Sequence, residues 1–260
     1  MDKKDLQNPA LYTNRELSWL LFNKRVLSEA RDKQLLLFER LKFLSITASN
    51  LDEFFMVRIG SLVDMIHAEY TKKDIAGMSA KEQLDALMEE THKFAALQYS
   101  TYNRMLLPQL RANGLNFVEH HEQLTERQAQ YVDEYFEENV YPVLTPMAVD
   151  SSRPFPLIRN KTLNIGALVA KKGEKDTEIE FATVQVPSVL PRVVRIPAAK
   201  EGDTEVAVLL LEEIIERNIS KLFLNYNVLC AHPFRITRNA DLAIDEDEAE
   251  DLLLEIEKQI

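Results

Sequence analysis

Apolar positions recur at helical spacing through the first part of the chain and then give way to shorter, strand-like runs, which predicts two regions of different class. Thr13 and Glu16 stand three apart ahead of an apolar run, as in a capping box, and Leu17, Leu20, Leu21 and Val26 continue the helical spacing. A second run through Leu37, Leu41 and Leu44 stops near Ser49, and a third opens at Leu51 and passes through Phe54, Phe55, Ile59, Leu62 and Ile66. Ser79 and Glu82 repeat the capping-box pattern before a long helix through Leu84, Leu87, Phe94, Tyr102 and Leu106, which Asn113 and Gly114 end. Long helices with facing apolar stripes and short polar links predict an antiparallel helical bundle over residues 1–113.

Beyond Gly114 the pattern changes. Leu115, Phe117 and Val118 suit a short strand, Thr125 and Gln128 open another helix, and Pro142, Pro146, Pro154 and Pro156 punctuate an irregular segment. Strand-like stretches follow at Leu163 to Val169 and Ile179 to Val186, with Lys171, Lys172 and Gly173 in the turn between them. Val193 to Ile196 adds a strand, Leu209 to Asn218 a helix, and further strands lie near Val228 and at Phe234 to Thr237. The fold class is therefore α+β and multidomain: an N-terminal helical bundle, then residues 114–260 as an α+β domain with a small, mainly antiparallel sheet. From Glu246 onward Leu252, Leu253, Ile256 and Ile260 keep helical spacing to the last residue with no capping signal, which reads as a helix cut short.

Composition narrows the function classes. At 46% hydrophobic and 28% charged the chain is globular rather than disordered, and no apolar run approaches the roughly 20 residues a membrane-spanning helix needs. The N-terminus lacks an apolar signal core, and the single cysteine, Cys230, excludes an internal disulfide and any multi-cysteine metal site. Both favour a cytoplasmic protein, with peripheral membrane association left open. A net charge of -11 argues against binding nucleic acid or a phosphate polymer by charge alone, leaving that role only to local basic clusters.

Neither G-x-x-x-x-G-K-[ST] nor G-x-G-x-x-G occurs, which excludes a P-loop or Rossmann site. The five histidines, His67, His92, His120, His121 and His232, show no metal-ligand spacing, and the adjacent His120 and His121 are expected to point apart, so no metal site is expected. The segment Phe43 to Arg58 is the most distinctive. As a matter of local structure, Asn50 reads as an N-cap with Glu53 three residues on, and Asp52 and Glu53 suit the start of a third helix.

The stretch Arg-Glu-Leu-Ser-Trp-Leu-Leu-Phe-Asn-Lys-Arg-Val-Leu (Arg15 to Leu27), followed by Ser-Asn-Leu-Asp-Glu-Phe-Phe-Met-Val-Arg (Ser49 to Arg58), closely resembles the start of the histidine-dependent polyphosphate kinases. Tyr141 to Asp150, Arg153 to Pro156 and Phe234 to Asn239 resemble that family's second, or head, domain, in the family's order. The resemblance implies an enzyme that reversibly moves the terminal phosphate of ATP onto inorganic polyphosphate through a phosphohistidine, with Mg2+. It also implies a homo-oligomer whose own C-terminal catalytic domains carry the phosphorylated histidine and bind the metal. Those domains lie outside this sequence, so no catalytic residue carries over and the chain alone is expected to be inactive.

One position does carry over, because the asparagine before Leu-Asp-Glu-Phe is an ATP-contacting residue of the family and here is Asn50. Asp52 and Glu53 beside it would repel phosphates, so the expected contact is with the base or sugar, through an amide NH2 that the helix cap leaves free. Arg153, Arg159, Lys161, Arg235 and Arg238 are weaker candidates for a polyphosphate-facing surface. The alternative is a free-standing, non-enzymatic interaction or oligomerisation module, which accounts for the missing phosphate motifs without further domains.

Overall fold

A computed structural model describes residues 5–149, 158–173 and 179–239. These fall into two compact units, one of residues 5–106 with 237–239 and the other spanning Leu107–Ile236. Arg153, the Arg-Pro-Phe-Pro motif and the expected helix from Glu246 onward lie outside the described residues.

The first unit contains α1 (Arg15–Arg31), α2 (Leu37–Phe54), α3 (Gly60–His67) and α4 (Ala80–Thr101). The cap of α1 is Asn14, not the expected Thr13: Asn14 Oδ1 accepts from the backbone N–H groups of Glu16 at 3.0 Å and Leu17 at 2.9 Å. Asn14 is buried, and its amide donates to Asp74 Oδ2 and Gln83 Oε1, both at 2.8 Å. A second donor pair gives asparagine an advantage here that threonine lacks. The cap of α4 is the reciprocal Ser79–Glu82 box read from the sequence.

The expected break near Ser49 is absent. Helix α2 runs through Asn50 to Phe54, a π-helical turn follows at Phe55–Ile59, and α3 continues from Gly60. The apolar stripe explains the extra residue in the turn. Phe54, Ile59 and Leu62 are buried in one cluster with Leu20 and Leu87, whereas the α-helical position after Phe54 would be Arg58, which is exposed. The widened turn thus keeps the guanidinium out and brings Ile59 in. Leu27, Ala30 and Phe94 form a second cluster between α1 and α4. Gly60 has a steric reason, because a Cβ there would lie 2.5 Å from Asn239 Oδ1, whose amide donates to Asp64 Oδ2 at 2.9 Å.

The second unit begins with α5 (Leu107–Ala112), which ends at Gly114 with φ +78, the left-handed geometry that glycine adopts cheaply. It continues with β1 (Leu115–Phe117), α6 (Glu126–Tyr135), β2 (Pro146–Val149), β3 (Asn164–Lys171), β4 (Ile179–Gln185), β5 (Val193–Ile196), β6 (Val206–Leu210), α7 (Leu211–Arg217) and β7 (Tyr226–Phe234). Thr125 and Gln128 form the second reciprocal capping box, at the start of α6.

The α+β class holds, with two sheets rather than one. An antiparallel sheet has the order β2-β4-β3-β7, and a three-stranded sheet has the order β1-β6-β5 with β1 parallel to β6. Leu209 and Leu210 belong to β6, so the helix expected from Leu209 starts at Leu211. The strands expected near Val228 and at Phe234 are one edge strand, β7, with a register shift opposite Leu168 and Val169. Pro233 is tolerated there because an edge strand leaves one side unpaired. Phe136, Val140, Ile165, Val184, Leu209, Leu211 and Ile214 form the buried core under these sheets and helices.

Replacing Asn14 with alanine removes the α1 cap and strands a buried Gln83 oxygen, and should lower the stability of this unit by about 3 kcal/mol in denaturant titration. Asp133 supplies a pH test. Burial alone would raise its carboxyl, but hydrogen bonds from Arg217 and Asn218 outweigh that and hold it below its ordinary value. A depressed folded pKa contributes stability above the unfolded value of about 3.9 and loses it as pH falls further. Thermal melts between pH 6 and about pH 2.5 should therefore fall less steeply below pH 4 for Asp133→Asn than for the parent chain.

Candidate functional site

Because α2 does not begin at Asn50, this residue caps nothing. Its side chain belongs instead to a relay of amides between α1 and α2, buried at Asn23 and half-buried at Asn50. Asn23, fully buried on α1, donates its Nδ2 to the Thr47 carbonyl at 3.1 Å. That orientation turns Asn23 Oδ1 toward α2, where Asn50 Nδ2 donates to it at 3.1 Å. Were the Asn50 amide reversed, two carbonyl oxygens would face each other, so the relay fixes Asn50 with its own Oδ1 directed away. The expectation is modified: one N–H of the amide is engaged by Asn23, and the oxygen is an acceptor that a ligand can meet. Thr47 is itself held, its hydroxyl donating to the Leu44 carbonyl at 2.7 Å and accepting from Gln98 Nε2 at 2.9 Å.

Asn50, Glu53, Phe54 and Val57 follow helical spacing along one face, and with Trp19, Phe22 and Arg58 they line a cleft of about 240 Å³. Trp19 stacks on Phe54 with ring centroids 4.4 Å apart and planes 10° from parallel. Phe22 is exposed, with the Arg25 guanidinium 5.9 Å from its ring centroid. The cleft carries one carboxylate, Glu53, and one guanidinium, Arg58, so it is close to neutral. The expected repulsion of phosphates at a helix N-terminus falls away, since there is no N-terminus at Asn50. A flat apolar floor, an amide acceptor and near-neutral charge suit an aromatic heterocycle bearing amino donors. At about 240 Å³ the cleft is smaller than the 300–1,000 Å³ of complete ligand pockets, which marks it as one wall of a site. Arg58 also borders a hollow of about 560 Å³ lined by Arg15, Lys72, Lys73, Glu16 and Asp74 among others.

The sequence reading missed Trp19, Phe22 and Arg58. Their signal is the matched spacing of Trp19, Phe22 and Asn23 on one helix with Asn50, Phe54 and Val57 on the next, which becomes visible only once α2 is continuous.

Of the basic candidates, the Lys161 N–H donates to the Ile236 carbonyl at 2.9 Å, which holds the exposed turn carrying Arg159 and Lys161 beside Arg235. Lys161 sits at φ +60 in that turn. Arg238 belongs to the other unit. His120 and His121 do not diverge as expected. The chain bends from extended geometry at His120 into a single helical turn at His121–Gln123, and both imidazoles face Glu213 of α7. Among the described residues no helix is long and apolar enough to cross a membrane.

Comparison with known proteins gives a consistent result. Residues 12–118 match the family model of the polyphosphate kinase N-terminal domain, and residues 127–260 match that of the polyphosphate kinase middle domain. The chain is 48% identical to a polyphosphate kinase of Halalkalibacterium halodurans over 98% of its own length and 36% of that relative. It is likewise 48% identical to a polyphosphate kinase of Lactiplantibacillus plantarum, over 96% of this chain and 34% of the relative. The crystal structure of polyphosphate kinase from Porphyromonas gingivalis superposes with a TM-score of 0.77 at 31% identity, covering 90% of this chain and 34% of that one. The chain thus spans about a third of the length of the curated relatives it matches.

The relay predicts a sharp difference between two substitutions. Asn50→Asp sets a carboxylate against Asn23 Oδ1 and should cost about 2 kcal/mol in denaturant titration, whereas Asn50→Ala, which only removes a donor, should cost about 1 kcal/mol.

Proposed function

The chain belongs to the polyphosphate kinase family, and from that premise we propose that its helical unit supplies the nucleoside-side wall of an ATP site. The observation that carries the reading is the half-buried Asn50 amide, oriented by Asn23 and lining the cleft with the Trp19–Phe54 stack. An adenine offers an exocyclic amino group to such an acceptor and a π-face to such a floor. Arg58 stands at the margin of the cleft, on the side leading to the hollow with Arg15, Lys72 and Lys73.

In this reading the complete enzyme moves the terminal phosphate of ATP reversibly onto inorganic polyphosphate through a phosphohistidine on residues beyond this chain, and the chain alone does not catalyse transfer. Holding the nucleoside contributes by positioning, since fixing one end of ATP restricts where its terminal phosphate can lie. Arg159, Lys161 and Arg235 form the polyphosphate-facing surface of the second unit, with charge suited to successive phosphate groups. Magnesium is assigned to residues outside the chain. The cleft offers one carboxylate and one amide oxygen beside a guanidinium, a donor set that does not fit an ion demanding octahedral oxygen ligation. Homo-oligomeric assembly with its own C-terminal domains completes the proposal.

The test is ATP kinetics of the full-length enzyme. One lost hydrogen bond worth about 0.5–1.5 kcal/mol predicts that Asn50→Ala raises the KM for ATP roughly 3- to 10-fold while leaving the KM for polyphosphate unchanged. An unchanged KM for ATP in a folded variant overturns the assignment.

A further inference from the structure

The second unit holds a cluster of imidazoles and carboxylates that the nucleotide reading leaves unused. Glu213 lies on α7 and is 9% exposed. Its Oε2 accepts from the backbone N–H of His121 at 2.9 Å and lies 3.2 Å from His121 Nδ1, while Oε1 lies 3.8 Å from His120 Nδ1, beyond hydrogen-bond reach. The neighbouring Glu212 is buried too, but the Arg192 guanidinium grips it with Nε at 3.1 Å from Oε1 and 3.2 Å from Oε2. Among the described residues no lysine or arginine does the same for Glu213. One helical turn on, Glu216 has His232 Nδ1 3.4 Å away. Burial and then the charge of Glu213 push the Glu216 carboxyl up.

The tautomers sharpen the point. A neutral His121 that donates Nδ1–H to Glu213 has its lone pair on Nε2, and that atom lies 3.6 Å from Glu122 Oε1, another acceptor. Glu213 Oε2 is thus satisfied by His121, and its other oxygen stands beside the His120 imidazole and the Glu122 carboxylate. A buried carboxylate oxygen with an imidazole and a second carboxylate close by is a suitable ligand set for a cation.

We propose that His120, Glu122 and Glu213 bind a divalent transition-metal ion, of which Zn2+ is the fitting class, with His121 positioning Glu213. Each of the three offers one ligand atom, and these atoms lie within 4.8 Å of one another. A tetrahedral zinc ion with bonds of about 2.0–2.1 Å needs its ligand atoms roughly 3.3 Å apart. His120 and Glu122 have side chains 65% and 72% exposed and can swing inward, while Glu213 is held by His121. Mixed nitrogen and oxygen donors favour zinc over magnesium or calcium. Three protein ligands leave a fourth position for water. The ion would clip the turn at His121–Gln123 onto α7 and so tie two segments distant in sequence.

The experiment is calorimetric titration of Zn2+ into the metal-free 260-residue chain at pH 7.5, with melting temperature followed in parallel. One ion per chain at micromolar affinity is expected, together with a rise in melting temperature. His120→Ala, at an exposed position that leaves the fold intact, should weaken binding at least about tenfold, as should His121→Ala through loss of positioning. His232→Ala and His92→Ala should leave it unchanged. Absence of saturable binding, or affinity undiminished in His120→Ala, overturns the proposal.

Discussion

The amide of Asn23 is fully buried between α1 and α2, and each of its polar atoms must be satisfied from within the protein. That requirement sets the direction of everything attached to it. Asn23 gives its hydrogen to the Thr47 carbonyl, a backbone atom that cannot reorient, and so must present its oxygen to Asn50. Asn50 then commits one N–H inward, which fixes the side of the amide on which its oxygen lies. A ligand at the cleft consequently meets an acceptor whose orientation is decided two residues deep in the bundle. The aromatic floor has a similar origin, since Phe54 is core and cleft wall at once: it is buried with Leu20 and Leu87 while its ring carries Trp19.

Much of this architecture is legible in the sequence because it rests on local rules. The boxes Ser79–Glu82 and Thr125–Gln128 are read directly, since each residue satisfies a backbone N–H within four positions. Asn50 and Glu53 have the same spacing and none of the geometry. What overrides the local rule is the facing helix, because Asn23 offers the amide a tertiary partner and the apolar stripe carries α2 onward. Thr13 misled for a related reason, in that it obeys the box spacing, but only Asn14 can cap and also donate to Asp74 and Gln83.

The second unit was harder to read where pairing is non-local. Pro146 hid β2, which lies at a sheet edge where a missing N–H costs little, and the displaced register within β7 split one strand into two expected ones. The convergence of His120 and His121 depends on a bend between them and on Glu213, about ninety residues away in the chain. Alternation rules assume a regular element, and the chain leaves one type and enters another at that point. The candidate site followed the same division: Asn50 was legible through family resemblance, and its companions Trp19, Phe22 and Arg58 only through three-dimensional proximity.

The π-helical turn at Phe55–Ile59 makes the phase of the downstream helix depend on a single residue. Each α-helical residue advances the helix by about 100°, so the same residues wound there as an unbroken α-helix would remain helical and yet present a rotated downstream face. Arg58 would then turn toward the position Ile59 occupies against Leu62 and Leu87, and the cleft would lose its guanidinium. Circular dichroism would register almost no difference between two such windings. A relative shorter by one residue here can therefore keep the same faces with an ordinary helical turn, and aligning relatives through the segment requires matching faces before matching letters.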